Sequence, residues 1–318
     1  MTIQYFRVPS PQVSQRLDVV IADLAAVSRS YAKRLIANKR VLVEGQYKKA
    51  SYPVRIAEAI EIQPLPPQPT TARPESIPLD ILYEDGSLAA INKPPGMVVH
   101  PAPGQWQGTV VNALLGHWGW DTDEPSLRPG IVHRLDKDTS GVLLVAKHRA
   151  ALENLAAQFK TRQVHKTYLA VVVGRWAQRA GVIALPLGRH PIDRKKMSIH
   201  ARKSRPAVSR YEVVDSGQNV SLVRLFPETG RTHQLRVHLA ALNHPIIGDR
   251  LYGSRRMEHA IPRMFRDFPR QALHAEAIQF AHPENQAAVT IRAPYPDDFA
   301  HLLSQVTGQH DFPCSLTA

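Results

Sequence analysis

The densest run of reactive side chains lies in residues 130–147, GIVHRLDKDTSGVLLVAK. Two apolar residues, Ile131 and Val132, lead into His133, Arg134, Asp136, Lys137, Asp138, Thr139 and Ser140. Gly141 then releases the chain into the apolar residues 142–146. This pattern predicts a tight turn between two buried strands, the strands fixing geometry and the turn presenting its side chains to a substrate. A carboxylate so placed can serve as a nucleophile or in proton transfer. Asp and Thr on turns also commonly bond nothing but nearby backbone. Asp136 and Asp138 together could be offered as a glycosidase pair, which needs two carboxylates about 5 to 10 Å apart.

The neighbouring segments must position that turn. Residues 79–86 alternate and turn, and residues 88–93 run back, the pattern of a hairpin. Thr109 can cap a helix through Val111, Leu114 and Leu115. Leu152, Leu155, Ala156 and Phe159 recur at helical spacing and predict an amphipathic helix over residues 150–161. Residues 165–174, HKTYLAVVVG, read as a strand by alternation and β-branching, and a strand tyrosine such as Tyr168 is ordinarily a packing residue. Residues 188–210 hold eight Lys or Arg against one acid. Their prolines and glycine deny a long helix, so a basic loop or hairpin over the cleft is expected, suited to phosphates.

At 318 residues and 43% hydrophobic content the chain has room for about two folded domains. Forty Lys plus Arg against 27 Asp plus Glu give a formal charge of +13, which points to a polyanionic partner. No run approaches the ~18 consecutive apolar residues of a membrane span, and the N-terminal residues lack a basic segment followed by an apolar one. A single cysteine, Cys314, excludes an internal disulfide and a cysteine-ligated zinc site; a reducing cytoplasm is the expected location. Residues 15–62 read as a small unit of two helices, the second capped by Ser28 or Ser30, followed by strands at residues 41–45 and 54–62. Residues 63–75, QPLPPQPTTARPE, carry five prolines in thirteen positions and read as a semi-rigid spacer.

Several of these stretches carry a resemblance. HRLDKDTSG at residues 133–141 resembles the signature of the RluA-type pseudouridine synthases, and the chain as a whole resembles the RluD-like branch of that family. KPPGMVVHP at residues 93–101, the K-x-Y-x-A element from Lys166, ETGRTHQLRVH at residues 228–238, HPIIGD at residues 244–249 and PRQALHA at residues 269–275 match further family elements in order. The resemblance implies Asp136 as nucleophile, Tyr168 stacking on the target uracil, and Arg231 pairing with Asp136. It further implies Leu235 lining the uracil pocket, Arg134 filling the gap left by a flipped nucleotide, and His133 beside it on the substrate side. An Arg on a carboxylate fixes its orientation through a forked hydrogen bond. His233 and His238 have no third ligand placed by motif and no HExxH, so they read as structural or RNA-facing rather than metal-binding. The glycosidase alternative has no use for the Arg231 motif or a basic RNA surface; a non-catalytic RNA-binding protein is the other alternative.

The N-terminal unit resembles an S-four-type (αL) RNA-binding domain. Ser28, Arg29, Lys33, Arg34, Lys39, Arg40, Lys48 and Lys49 are then its expected phosphate contacts, positioning RNA rather than reading bases. The expected architecture is α+β: a pseudouridine synthase fold with a central mixed, mostly antiparallel sheet at residues 77–318, a proline-rich linker at 63–76, and the RNA-binding domain at 1–62. The implied reaction is uridine isomerisation in large-subunit ribosomal RNA, the helix 69 region in this branch, needing no cofactor and no metal. Ribosomal RNA or a ribosome precursor is the expected partner, with no membrane, no protein partner and a monomeric chain. The tryptophan-bearing residues 116–120 and the divergent residues 257–266 depart from the branch pattern and leave the particular uridine open, another ribosomal or transfer RNA site being the alternative.

Overall fold

A computed structural model describes residues 3–64, 72–102, 104–119, 129–217, 219–253, 259 and 261–308. The chain divides into two compact units, the first ending at Pro69 and the second beginning at Thr70. Most of the proline-rich stretch, residues 65–71, lies outside the described residues, as do Trp120, Cys314 and part of residues 257–266.

In the first unit β1 (Gln4–Arg7), α1 (Leu17–Leu24), α2 (Arg29–Ala37), β2 (Val41–Val43) and β3 (Ala59–Ile62) follow in order. Leu17, Val20, Ile21, Leu35, Val43 and Ile60 form its core. Ser28, rather than Ser30, caps α2 by accepting from the Tyr31 amide at 3.2 Å. The three strands pair in the order β1-β3-β2. Strand β1 lies ahead of the unit expected at residues 15–62, because its four residues are too few to show an extended alternation. The strand expected over residues 54–62 is confined to its last four, since Ala57 sits at φ +60° in the turn before it.

The second unit is built on a nine-stranded sheet. Its strands are β4 (Ile81–Glu84), β5 (Leu88–Lys93), β6 (Ser140–Ala146), β7 (His165–Val173), β8 (Ala180–Ala184), then β12 (Val208–Gly217), β13 (Val220–Pro227), β14 (Leu273–Ala281) and β15 (Ala288–Arg292). The order is β4-β5-β6-β14-β7-β13-β12-β8, with β15 on β14, and β14 with β6 is the parallel pair in an otherwise antiparallel sheet. The basic run at residues 188–210 forms a separate small sheet of β9 (Leu187–Arg189), β10 (Met197–Ser198) and β11 (Ser204–Arg205), ordered β10-β9-β11. Its helices among the described residues are α3 (Val110–Trp118), α4 (Arg149–Lys160), α5 (Gln234–Ala241), α6 (Arg263–Arg266) and α7 (Asp297–Thr307). Thr109 caps α3 as expected, in a reciprocal pair with Asn112.

Strand β14 stands in the middle of the sheet rather than closing its edge. It lies between β6, which follows the Asp136 turn, and β7, which carries Tyr168. Gly141 makes the parallel pairing with β6 possible: its φ is +110°, and a Cβ there would lie 2.2 Å from the Ala275 carbonyl oxygen. The turn has a strand on one side only. Before it, Ile131 makes a single bridge to Val145, because two apolar residues after the Pro129-Gly130 turn are too few for a strand. The far end of the expected spacer is also strapped down: Asn112 Nδ2 donates to the Arg73 carbonyl at 2.7 Å, and the Gly108 amide donates to the Glu75 carboxylate.

Four contacts hold the turn itself. Thr139 N donates to Asp136 O at 3.1 Å, closing it. Arg270 Nη1 donates to Asp138 O at 3.1 Å and Gln271 Nε2 to Thr139 Oγ1 at 3.2 Å. From the other side the fully buried Lys93 donates through Nζ to the carbonyls of Lys137 (2.9 Å), Met97 (2.9 Å) and Pro94 (2.6 Å). Burial pulls Lys93 from 10.5 down to about 7, against the opposing pull of Asp138 and Asp136. Between about pH 7 and 10 the unfolded chain therefore binds more protons at this position, and Lys93 makes stability rise with pH across that window. Lys93→Met should remove this slope and leave three carbonyls dry at about 1–3 kcal/mol each. Urea unfolding from pH 6.5 to 9.5 measures both; equal slopes for the two proteins would refute the assignment.

Candidate active site

Asp136 lies in a cleft of about 530 Å³ whose walls include His133, Arg134, Tyr168, Arg231, His233 and Leu235. The backbone alternates through the signature: Arg134 is exposed, Leu135 is buried in the core, and Asp136 again faces the cleft. Tyr168 reaches the same cleft from β7, opposite Ala275 on β14 and Leu225 on β13. Leu235 enters from the first turn of α5, 6% exposed. Asp138 does not line the cleft, so the two aspartates are not presented to one substrate as a glycosidase pair.

The expected partnership between Asp136 and Arg231 is not what the structure contains. Arg236 Nη1 donates to Asp136 Oδ2 at 3.0 Å, while Arg231 is half-buried in the cleft wall and reaches the Pro206 carbonyl through Nε at 3.5 Å. The reason is helical phase. Arg231 precedes α5, on a loop whose amide is held by Gln234, whereas Arg236 lies inside α5 on its buried face. Arg236 also makes a forked contact with the buried Asp249, Nε to Oδ2 at 2.7 Å and Nη2 to Oδ1 at 2.8 Å. Burial works against its charge, but the hydrogen bonds and charges of Asp249 and Asp136 outweigh that and raise its pKa. Among the described residues no hydrogen-bond donor is directed at Asp136 Oδ1, which leaves that oxygen to a substrate.

Surrounding groups fix this arrangement. Asp249 Oδ1 accepts the amides of Leu251 and Tyr252 at 2.9 and 3.1 Å. The Tyr252 ring lies under the Arg236 guanidinium at 5.1 Å, and its hydroxyl meets His233 Nδ1 at 2.8 Å. Gln234 staples the loop before α5 to β12: its Oε1 accepts from Thr229 Oγ1 and the Arg231 amide, and its Nε2 donates to Val208 O and Ser209 Oγ. Arg270, which holds the turn, is itself forked onto Asp298 at 2.7 and 2.8 Å.

The histidines are occupied within the protein. His133 Nε2 accepts the Leu144 amide at 2.9 Å and its ring stacks on Phe159 at 4.9 Å. Burial, with the Lys166 charge nearby, drives His133 down to about 3, so it is a neutral wall of the cleft. His238 is buried between Ser209 Oγ and the Leu185 carbonyl. No cluster of three or more metal-ligating side chains occurs among the described residues. Burial, and secondly the Asp136 charge, push Tyr168 well above the ordinary phenol range, so it keeps its proton.

In the first unit the expected phosphate contacts divide. Buried Asp18 draws Arg16 (3.0 Å), Arg29 (2.9 Å) and Lys33 (3.6 Å) to one point. Burial alone would raise the Asp18 pKa, but hydrogen bonds from Arg29 and Arg16 lower it. Arg34 lies over Tyr31, Lys39 over Tyr47 and Lys48 over Tyr52, while Arg40 reaches Gln63 at 3.5 Å.

Sequence reading did not assign roles to Lys93, Gln234, Arg236, Asp249 or Arg270. Their signal was a charged or amide residue inside an otherwise apolar or turn-forming motif, which marks an internal partner but does not name it.

Residues 87–241 match the family model for RNA pseudouridylate synthase, and residues 15–60 match that of the S4 domain. Similar curated proteins include ribosomal large subunit pseudouridine synthase D of Xylella fastidiosa, 42% identical over 307 residues covering 93% of this chain and 90% of that protein. An uncharacterized RNA pseudouridine synthase of Chloroflexus aurantiacus is 43% identical, covering 94% and 92%. A solved structure, human RNA pseudouridylate synthase domain containing 4, is similar at TM-score 0.56 and 30% identity over 71% of this chain and 92% of its own. With signature turn, sheet and N-terminal unit all matched, the chain belongs to the RNA pseudouridylate synthase family as an RluA-type, RluD-like enzyme.

Proposed function

We propose that this enzyme isomerises specific uridines to pseudouridine in large-subunit ribosomal RNA, with Asp136 as nucleophile. The carrying observation is the held carboxylate: Arg236 occupies one oxygen of Asp136 and the other faces a cleft walled by Tyr168 and Leu235. The relatives named ribosomal large subunit pseudouridine synthase D support the choice of RNA, and helix 69 is the first region to examine.

The reaction breaks the N1–C1′ bond, turns the uracil and rejoins it through C5. The free oxygen of Asp136 adds to the nucleotide, or removes a proton in an elimination route. Tyr168 packs against the base as a protonated phenol, Leu235 forms the apolar side of the pocket, and no cofactor is needed for an isomerisation. The nucleotide must leave its stack to expose these atoms, and Arg134 fills the gap, a role that its exposed position on the cleft supports. Arg231, in the cleft wall, contacts RNA rather than the nucleophile. Arg29, Lys33, Arg34, Lys39 and Arg40 hold RNA phosphates, with Asp18 keeping two of them in place. Among the described residues no helix is long and apolar enough to cross a membrane.

Three outcomes follow. A carbodiimide primer-extension scan of ribosomal RNA from cells lacking the protein should show lost pseudouridines that return with wild type and not with Asp136→Asn. Activity of Asp136→Asn within tenfold of wild type would remove Asp136 from its role, and an unchanged ribosomal RNA would move the substrate elsewhere. Arg236→Lys should lower single-turnover rate by about 10²-fold, because an ammonium cannot fork between two carboxylates and a misplaced nucleophile is slow; Arg231→Lys should change RNA affinity more than rate, and the reverse ranking would restore the pairing read from the sequence. Removing residues 1–63 should weaken RNA binding and steepen the concentration needed for turnover while leaving activity on short RNA. Complete loss of chemistry on a saturating stem-loop would contradict that division of labour.

A further inference from the structure

Lys166 sits in the cleft with no role in the scheme above. It precedes Tyr168 by two residues on β7, so both side chains leave the same face of the strand, and both line the cleft with Asp136. Its side chain is half-buried. Among the described residues no carboxylate or hydrogen-bond acceptor partners its Nζ. Its neighbours are the Phe159 ring, 6.0 Å from Nζ, and Gly230, whose absent Cβ would lie 4.0 Å away. Arg236, by contrast, is fully engaged by Asp136 and Asp249. A cation withdrawn from water and left without an anion is unfavourable until something electron-rich arrives. Arg134 and Arg162 are exposed around the same cleft and suit phosphates; the inner, half-buried position beside Tyr168 suits the base.

We propose that Lys166 is a further catalytic residue that donates a hydrogen bond to a carbonyl oxygen of the flipped uracil and stabilises the negative charge developing there as the glycosidic bond breaks. This rests on the reading of Asp136 given above. When N1–C1′ breaks, its electron pair passes to the uracil ring and spreads over N1, O2 and O4, while Asp136 answers the electron deficiency at the sugar. When C5 bonds to C1′, the C5 proton is lost and N1 gains one, so no proton or electron is consumed overall. Burial draws Lys166 down to about 8, which still leaves it mostly ammonium at neutral pH.

The test exploits the leaving group. Short transcripts spanning the mapped site are made with uridine or with 5-fluorouridine at the target, and single-turnover loss of the N1-linked nucleoside is followed by digestion and mass spectrometry. Fluorine withdraws electron density, so the departing base needs less help. Lys166→Met should slow the uridine substrate by about 10²-fold but the fluorinated one by roughly tenfold or less, with unchanged RNA affinity, and Lys166→Arg should recover part of the loss. Equal slowing on both substrates would overturn the proposal. A loss confined to affinity, with a shallower salt dependence, would also overturn it and make Lys166 a phosphate contact. Should Lys166→Met fail to fold, Lys166→Gln gives the same comparison. Asp136→Asn should be inactive on both transcripts; activity there would instead sink the nucleophile reading, leaving the two failures distinguishable.

Discussion

The arrangement depends on one guanidinium shared by two carboxylates. Arg236 is 5% exposed, bonded in a fork to the buried Asp249 and by its remaining amino group to Asp136. A buried charge without a partner is costly, and a buried ion pair contributes little to stability compared with apolar packing of the same volume. Its contribution here is direction. Asp249 is itself fixed by two backbone amides, so the guanidinium cannot rotate, and the plane of Asp136 is set with it.

The backbone beneath Asp136 is held with equal firmness. Lys93 and Arg270 each donate to successive carbonyls of the turn, at Lys137 and Asp138. Asp136 therefore stands on a turn whose side chain and main chain are fixed by three separate basic side chains from distant parts of the chain. Turns that lack such support sample many conformations; this one is fixed by charge on one side and by the parallel strand pair on the other.

Much of this was legible in the sequence, and the exceptions have physical causes. The signature at residues 133–141, the capped helices and the alternating strands all report local preferences, which periodicity and cap residues reveal directly. Two arginines five positions apart in one motif do not. Whether Arg231 or Arg236 reaches Asp136 depends on where α5 begins, and that is set by His233 in a left-handed conformation at φ 55° and by Gln234 binding β12. The central position of β14 was equally hidden, because strand order follows from long-range pairing and leaves no mark on the strand's own residues. Strand β1 was missed for the opposite reason: it is too short to show a period.

The placement of β14 also bears on when the enzyme becomes competent. Ser140 meets His274 and Asp138 meets Arg270 across separations of 134 and 132 residues. Contacts so distant along the chain form slowly, since a long loop must close before they contribute. During synthesis β6 and β7 emerge well before β14 and leave a gap in the sheet between them. A ribosome-bound chain can thus present the whole signature turn while lacking the strand that seats it, and catalysis must wait until the last quarter of the polypeptide has threaded into place.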